Sequence, residues 1–151
     1  MTTTPEALPS LPVTFRPGRT RVILHTLGAA SFVTITVVAL VLGGMSPAEK
    51  TSFVFTAALF WGVLGLLARP KVVADGEGVT VVNIARSRRL SWAEIVQVNL
   101  RPGDPWVFLN LTDGTSMAAM GIQPGLARKT AIRDARALRA LTDAAHTQPQ
   151  N

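Results

Sequence analysis

The sequence RRLSWAEIVQV, residues 88–98, contains the clearest local folding signals of the chain. Ser91 and Glu94 have the spacing of a capping box, in which two side chains satisfy each other's backbone N–H groups. This spacing predicts one helical turn over residues 92–95. From residue 95 to residue 101 apolar and polar side chains alternate, which predicts a strand with one buried face. The segment therefore predicts a single helical turn that leads directly into a β-strand.

Short β-type runs separated by turn residues lie on both sides of this segment. The β-branched run at residues 79–85 follows an acidic, glycine-containing turn at residues 75–78. The dipeptide Asp113-Gly114 is a strong hairpin signal between two such runs. The predicted strands are residues 71–74, 79–85, 90–92, 95–101, 106–111 and 115–122. The region from residue 69 onward therefore predicts about six short antiparallel strands.

A final helix is predicted from about residue 127 to residue 145, after the breaker Pro124-Gly125. Ile132, Ala135, Leu138 and Leu141 recur at three-residue intervals and form one apolar stripe. Such a helix must bury its stripe against an open end or a face of the sheet. Six strands followed by one amphipathic helix place the domain in the α+β class.

Two long apolar runs precede this domain, VILHTLGAASFVTITVVALVLGGM at residues 22–45 and TSFVFTAALFWGVLGLLA at residues 51–68. About 20 apolar residues in a helix cross a hydrocarbon core of about 30 Å. The first run is longer than the apolar region of a cleaved signal peptide. The chain also offers too little amphipathic protein to bury two all-apolar helices. We therefore predict a transmembrane hairpin at residues 21–68, with spans at about 22–44 and 51–68.

The charges that flank the spans predict the orientation of the hairpin. Arg16, Arg19 and Arg21 precede the first span, and Arg69 and Lys71 follow the second. The link at residues 44–50 carries one cation and one anion. Because cations near span ends mark the cytoplasmic side, we expect a multi-pass plasma-membrane protein with both termini in the cytoplasm.

The two ends of the chain are polar and lack apolar periodicity. Residues 1–20 are rich in Thr and Pro, and residues 147–151 are polar throughout. Both are predicted to be disordered tails. The folded domain is then expected at residues 69–146.

Composition excludes several classes of function. The 151 residues carry a net charge of +6 and contain no Cys and two His, which excludes thiol chemistry and leaves too few ligands for a zinc centre. The chain contains none of the P-loop, GxGxxG or GxSxG motifs, so we expect no enzyme, no cofactor or metal, and no small-molecule substrate. It also lacks a nucleic-acid-binding signature, and the region from residue 69 has a net charge of only +4 (eleven cations against seven anions), so no nucleic-acid partner is expected.

Arg86, Arg88 and Arg89 form the densest charge cluster and are candidate contacts to an anionic lipid surface. The alternative is a solvated turn that protects a strand edge, and the acidic turn at residues 75–78 favours it if both turns lie at the same end of the domain.

Trp92 is expected to be buried in the core of the domain rather than to stack against a ligand.

Ala58, Gly62 and Gly65 are candidate helix-packing residues in the second span. Ala58 and Gly62 are four residues apart on one helical face, and Gly65 lies nearby. Small side chains allow two helix backbones to approach closely within a membrane. The alternative is that these residues are ordinary span composition.

The run at residues 88–98 resembles the "R-x-I/L-x-W-x-E-I" signature of bacterial PH-like domains. The corner at residues 101–106, together with a preceding membrane hairpin, is similar to the actinobacterial low molecular weight protein antigen 6 family. The resemblance covers about residues 69–145. It implies a PH-like barrel or β-roll of two nearly orthogonal antiparallel sheets, closed at one end by the C-terminal helix.

Two functions remain open at this point. The first is a membrane-anchored PH-like domain that acts as a non-catalytic protein- or lipid-binding module at the cytoplasmic face. The second is an accessory structural subunit that assembles with other membrane proteins through its spans. The expected partners are membrane lipids and another membrane or cytoplasmic protein.

Overall fold

The structure is a computed structural model that describes residues 8–147. The chain forms two units. Gly18–Arg69 is one unit, which we call the hairpin. The segments before and after it, up to Pro17 and from Pro70, together form the other unit, which we call the domain.

The hairpin consists of α1 (Gly18–Val41) and α2 (Pro47–Leu67). Both helices are long and apolar enough to cross a membrane by length and composition. α2 begins four residues before the predicted span because Ser46 caps it. Ser46 Oγ accepts a hydrogen bond from the Glu49 N–H at 3.3 Å, and the Glu49 carboxylate accepts one from the Ser46 N–H at 2.7 Å.

The domain contains seven antiparallel strands and one helix within the described residues. The strands are β1 (Val13–Phe15), β2 (Lys71–Ala74), β3 (Gly78–Val82), β4 (Ser87–Ser91), β5 (Ile95–Asn99), β6 (Val107–Leu111) and β7 (Ser116–Ala119). They form two sheets, in the orders β1-β2-β3-β4 and β5-β6-β7. A 3-10 turn, Trp92–Glu94, joins the sheets, and α3 (Arg128–Thr147) ends the domain. The α+β, PH-like fold class is therefore confirmed.

β1 lies inside the segment that was predicted to be a disordered tail. It pairs with β2 in the register Val13↔Ala74, Thr14↔Val73 and Phe15↔Val72. The Phe15 side chain is 5% exposed and belongs to the core. Burial of this ring and the backbone pairing order three residues that have no local periodicity. The prediction was wrong for residues 13–15, and also for residues 18–20, which belong to α1. Residues 1–7 and 148–151 lie outside the described residues.

The domain is consequently discontinuous in sequence. β1 precedes α1 and β2 follows α2, so the hairpin occupies the connection between two neighbouring strands. The domain begins before the first apolar helix and not at residue 69. The chain leaves the domain after Phe15 and returns at Lys71, and we call this end of the domain the linker end. The opposite end is called the far end.

The strand registers assign the turns to these two ends. In the first sheet Lys71 pairs with Val82 and Val82 with Ser87, so the β3–β4 turn lies at the linker end. Gly78 pairs with Ser91 at the far end. The second sheet is tied to the linker end by Gly121, where an added Cβ would lie 2.5 Å from the backbone carbon of Lys71.

The same contacts place the β5–β6 loop at the linker end. The Asn83 amide, in the β3–β4 turn, donates to Ala118 O at 2.8 Å, which brings the end of β7 to this turn. Val107 pairs with Ala119, so the start of β6 lies beside the end of β7. β5 ends beside the start of β6, because Asn99 pairs with Phe108.

We predict that β1 is required for a stable domain. A fused domain, in which residues 1–17 are joined to residues 70–151 by a short Gly-Ser linker, should melt cooperatively and at a higher temperature than residues 70–151 alone. Phe15→Ala in the fused domain should cost about 3–5 kcal/mol because it leaves a cavity in the core. Thermal and urea unfolding followed by circular dichroism would measure both effects. Equal stability of the fused domain and residues 70–151 alone would show that β1 adds nothing.

Candidate ligand-binding surface

Arg89, one of the three predicted contact residues, forms ion pairs with the acidic turn at the far end. Its Nη1 donates to Asp75 Oδ2 at 2.8 Å and its Nη2 to Asp75 Oδ1 at 2.9 Å, and Glu77 Oε2 lies 3.1 Å from Nη2. The hydrogen bonds from Arg89, and then that from the Glu77 N–H, lower the pKa of Asp75 to about 2. The charge of Arg89 is therefore largely compensated within the domain.

Arg88 also faces an acid, the predicted cap Glu94. Arg88 Nη2 lies 3.8 Å from Glu94 Oε1, and both side chains are about half exposed. The Glu94 carboxylate accepts hydrogen bonds from the Ser91 N–H at 2.7 Å and from Ser91 Oγ at 3.0 Å, as the capping-box spacing predicts. The bond from the Ser91 N–H is the main cause of the lowered pKa of Glu94.

Arg86 is separated from the other two arginines by the shape of the sheet. The chain turns at residues 83–86, where the Asn83 N–H donates to Arg86 O at 2.8 Å, and not between the predicted strands at residues 79–85 and 90–92. Arg86 lies at the linker end, is exposed, and joins none of the salt bridges within residues 8–147. The acidic turn lies at the opposite end. The three arginines therefore do not form one patch, and a role in lipid contact stays a prediction.

A different set of arginines surrounds a pocket at the linker end, between the β5–β6 loop and α3. The pocket has a volume of about 270 Å³. Its cations are Arg101, Arg128, Arg136 and Arg139. Asp104 is its one acidic residue, so the lining carries a net charge of +3 (four cations against one anion). We call these four side chains the arginine pocket.

Local structure explains how the arginine pocket is assembled. Arg128, Arg136 and Arg139 are spaced by eight and three residues on α3, which places them along one helical face. In the β5–β6 loop the Arg101 N–H donates to Asp104 Oδ2 at 2.8 Å, and the Asp104 N–H donates to Arg101 O at 3.1 Å. Gly103 closes this turn with φ +94°, a conformation that favours glycine.

Arg139 fixes the position of the helix relative to the edge of β5. Its Nε and Nη2 donate to Val98 O at 3.1 and 2.7 Å. Within residues 8–147 none of the four pocket arginines joins a salt bridge. Guanidinium groups around a concave surface suit oxygen-rich anions, because each can donate two parallel hydrogen bonds to a phosphate or carboxylate.

Trp92 is a core residue, as predicted. It is 8% exposed and packs in the cluster formed by both sheets and α3. Its Nε1 donates to Asp75 O at 3.1 Å, and its own carbonyl lies 3.0 Å from His146 Nε2. Trp92 therefore connects the acidic turn, through its indole, to the end of α3, through its backbone carbonyl.

The predicted packing residues of α2 lie mostly away from α1. Ala58 and Gly62 are exposed, and Gly65 is half-buried near His25. The face of α2 that contacts α1 contains Ala57, Trp61 and Leu64, one residue out of phase with the prediction. Ala58 and Gly62 therefore do not contact α1, and their role in helix packing stays a prediction.

The close approach within the hairpin occurs at Gly28 of α1. A Cβ at this position would collide with the Trp61 ring. The same ring lies 5.7 Å from that of Phe32, measured between ring centroids. The two helices therefore approach each other where Gly28 of α1 faces the Trp61 ring of α2, and not through two small residues.

Comparison with known proteins bears on the domain from residue 69 onward. Residues 69–141 match the family described as bacterial PH domain. Uncharacterized proteins of Mycobacterium bovis and of two strains of Mycobacterium tuberculosis are 31% identical over 62 residues, which are 41% of this chain and 40% of each relative. The match thus spans less than half the length of these relatives. No solved structure shows significant similarity.

The family match begins at residue 69 and does not include β1. The narrower resemblance to the antigen 6 family stays a prediction. Within the described part of the chain, no group of three or more His, Asp or Glu side chains could hold a metal ion.

The arginine pocket was not among the sequence predictions. The sequence pattern predicts Arg101 at the exposed end of a strand and Arg136 on the polar face of α3. The spacing of the three α3 arginines could have indicated a basic face. Their meeting with Arg101 depends on how α3 packs against the β5–β6 loop, which no local pattern encodes.

We predict that Trp92→Ala destabilises the fused domain by about 3–5 kcal/mol, because the substitution removes a core indole and leaves Asp75 O without its donor. Urea unfolding followed by far-ultraviolet circular dichroism, which reports secondary structure, would measure the change in stability. Val96→Ala, at a 57% exposed position on β5, is the control and should change stability by less than about 0.5 kcal/mol. A Trp92 variant as stable as the control would exclude a core role.

The lowered pKa of Asp75 predicts a dependence of stability on acid. Because the folded-state pKa lies below the ordinary value, the ionised carboxylate stabilises the fold above about pH 4, and this contribution disappears as the pH falls through about 2. Asp75→Asn should therefore lower stability at neutral pH and flatten the loss between pH 4 and pH 2.

Urea unfolding of the fused domain across this pH range would test the prediction. Asp143→Asn, the same change at an exposed residue of α3, is the matched control and should keep the parent's pH profile. Parallel profiles for the parent and Asp75→Asn would contradict the ion pair.

Proposed function

We propose that the protein is a membrane-anchored PH-like domain that acts as a non-catalytic protein- or lipid-binding module at the cytoplasmic face of the plasma membrane. The observation that carries the proposal is the position of the two apolar helices between β1 and β2. A domain interrupted in this way cannot be released from its anchor without losing a strand.

Membrane anchoring is supported by helix length and by strand pairing. Helices of 24 and 21 residues extend about 36 and 31 Å, enough to cross a hydrocarbon core of about 30 Å. Pairing of β1 with β2 requires the segment before α1 and the segment after α2 to lie on the same side of the membrane. Two spans satisfy that requirement.

The cytoplasmic orientation rests on the distribution of cations. Arg16, Arg19 and Arg21 lie at the start of α1, and Arg69 and Lys71 follow α2. At the other end of the hairpin, the first turn of α2 has one cation, Lys50, next to Glu49. The excess of cations on the domain side is the pattern of cytoplasmic segments.

The alternative function, an accessory subunit that assembles through its helices, is favoured by one feature of the hairpin. Ala58 and Gly62 are four residues apart on a face of α2 that does not contact α1. Small residues on such a face would allow another membrane helix to approach closely. The two functions therefore place the partner on different surfaces.

The proposed orientation predicts which single cysteines, introduced into a chain that has none, a thiol reagent will label. In intact cells a membrane-impermeant thiol reagent should label Gly43→Cys, in the turn between α1 and α2, and should not label Ser87→Cys, on β4. Gly43 is suitable because, unlike Ser46, it does not cap α2. After the cells are opened, both positions should react. Labelling of Ser87→Cys in intact cells, with Gly43→Cys protected, would reverse the orientation.

Crosslinking and pull-down of the intact protein from its own membrane would distinguish the two functions. A binding module should lose its partner when the domain surface is changed, for example by Val96→Asp on β5. An accessory subunit should lose it through Gly62→Leu in α2. Retention of all partners by Val96→Asp together with their loss in Gly62→Leu would favour the alternative.

A further inference from the structure

We propose that the arginine pocket and the basic residues around it bind the phosphate of an anionic lipid headgroup. This inference rests on the membrane anchoring proposed above. It assigns the lipid contact to the linker end and to residues other than Arg88 and Arg89. The following observations support it.

Charge is unequally distributed between the two ends of the domain. The cations at the linker end are Arg16, Lys71, Arg86, Arg101 and Arg128. The acidic residue that lines the arginine pocket there is Asp104, whose carboxylate accepts a hydrogen bond from a backbone N–H. The acids at the far end are Asp75, Glu77, Glu94 and Asp113, where Arg88 and Arg89 already have partners. An anion would therefore be attracted to the linker end.

Chain connectivity brings the linker end close to the membrane surface. Arg16 precedes the first residue of α1 by two positions, and Lys71 follows the last residue of α2 by four. At about 3.5 Å per residue, these cations lie within about 15 Å of the helix ends. The screening length is about 8 Å at physiological salt, so Arg16, at most about 7 Å from the start of α1, is within this range of the helix end. This proximity favours a lipid headgroup over a soluble anion as the ligand.

The arginine pocket can hold one phosphate group. Its volume of about 270 Å³ exceeds that of a phosphate, and its four guanidinium groups come from both a loop and a helix. Arg139 is fixed by two hydrogen bonds to Val98 O, which reduces the entropy lost when an anion binds. The backbone of Arg101 is held by the turn in which its N–H donates to Asp104 Oδ2.

The test compares lipid binding to the full-length protein in a neutral detergent. Dioctanoyl phosphatidylglycerol should bind, and dioctanoyl phosphatidylcholine should bind much more weakly, as measured by native mass spectrometry. Arg128→Gln combined with Arg136→Gln should weaken phosphatidylglycerol binding about thirtyfold. Arg128→Lys combined with Arg136→Lys keeps the charge and should retain more of the binding than the Gln pair, which separates loss of charge from misfolding.

Lys129→Gln combined with Arg133→Gln is the matched control, because it removes two charges from the same helix outside the arginine pocket. It should change binding less than about twofold. Equal weakening of phosphatidylglycerol binding by the two Gln pairs would overturn the proposal that the arginine pocket binds the lipid. It would leave only a general electrostatic attraction between the domain and the lipid. Inorganic phosphate that binds as tightly as the lipid and displaces it would overturn the lipid assignment, as would tight binding of a phosphopeptide.

The lipid test and the tests of the proposed function can fail separately. Binding in detergent does not depend on the orientation of the protein in the membrane. Failure of the lipid test would leave the cysteine labelling and the partner capture unaffected. Conversely, a reversed orientation would overturn the cytoplasmic function without changing the affinity of the arginine pocket.

Discussion

Val13–Phe15, the last residues before the linker to the first apolar helix, hydrogen-bond as an antiparallel strand to Lys71–Ala74, which follows the second helix. This pairing is the constraint on which the rest of the structure depends. It places the Phe15 ring in the core and supplies the edge strand of the four-stranded sheet. It also ties both ends of the hairpin to one domain. Closure of so long a connection costs entropy, and the packing of α1 against α2, which brings the ends of the hairpin together, reduces that cost.

The same constraint determines which charged residues share an end of the domain. Because β1 leaves and β2 returns at the linker end, the alternating strands bring the β3–β4 turn and the β5–β6 loop to that end. Arg86 and Arg101 lie in or beside these connections, and α3 adds its own arginines. The acidic β2–β3 turn and Asp113 in the β6–β7 hairpin are carried to the far end. The separation of charge therefore follows from strand order and is not visible as a run in the sequence.

The sequence was informative where folding signals are local. The capping box of Ser91 and Glu94, the helical turn at Trp92 and the six strands after residue 69 all depend on neighbouring residues, and the structure contains them. β1 was missed because three residues in a Pro- and Thr-rich segment become a strand only against a partner beyond both apolar helices. The face of α2 that contacts α1 could not be predicted, since an all-apolar helix does not indicate which of its faces meets a neighbour.

The candidate site was predictable only in part. Arg86, Arg88 and Arg89 are adjacent in sequence, but the turn and the strand separate them, and acids from two other segments neutralise two of them. The arginine pocket brings together residues 101 and 128–139, and that contact exists only after α3 packs on the second sheet. Charge density along a sequence is therefore a poor guide to charge density on a folded surface, because long-range acids and bases pair during folding.

The most direct test of the account is a disulfide between β1 and β2 in the full-length protein, which has no natural Cys. Thr14 and Val73 are register partners, so their Cα atoms should be about 4.5–5.5 Å apart, within the range that a disulfide requires. Under mild oxidation Thr14→Cys combined with Val73→Cys should form an intramolecular bond. Thr14→Cys combined with Thr80→Cys, two strands apart at about 10 Å, should remain reduced. Absence of the first bond, or equal crosslinking of both pairs, would contradict a domain completed across the hairpin.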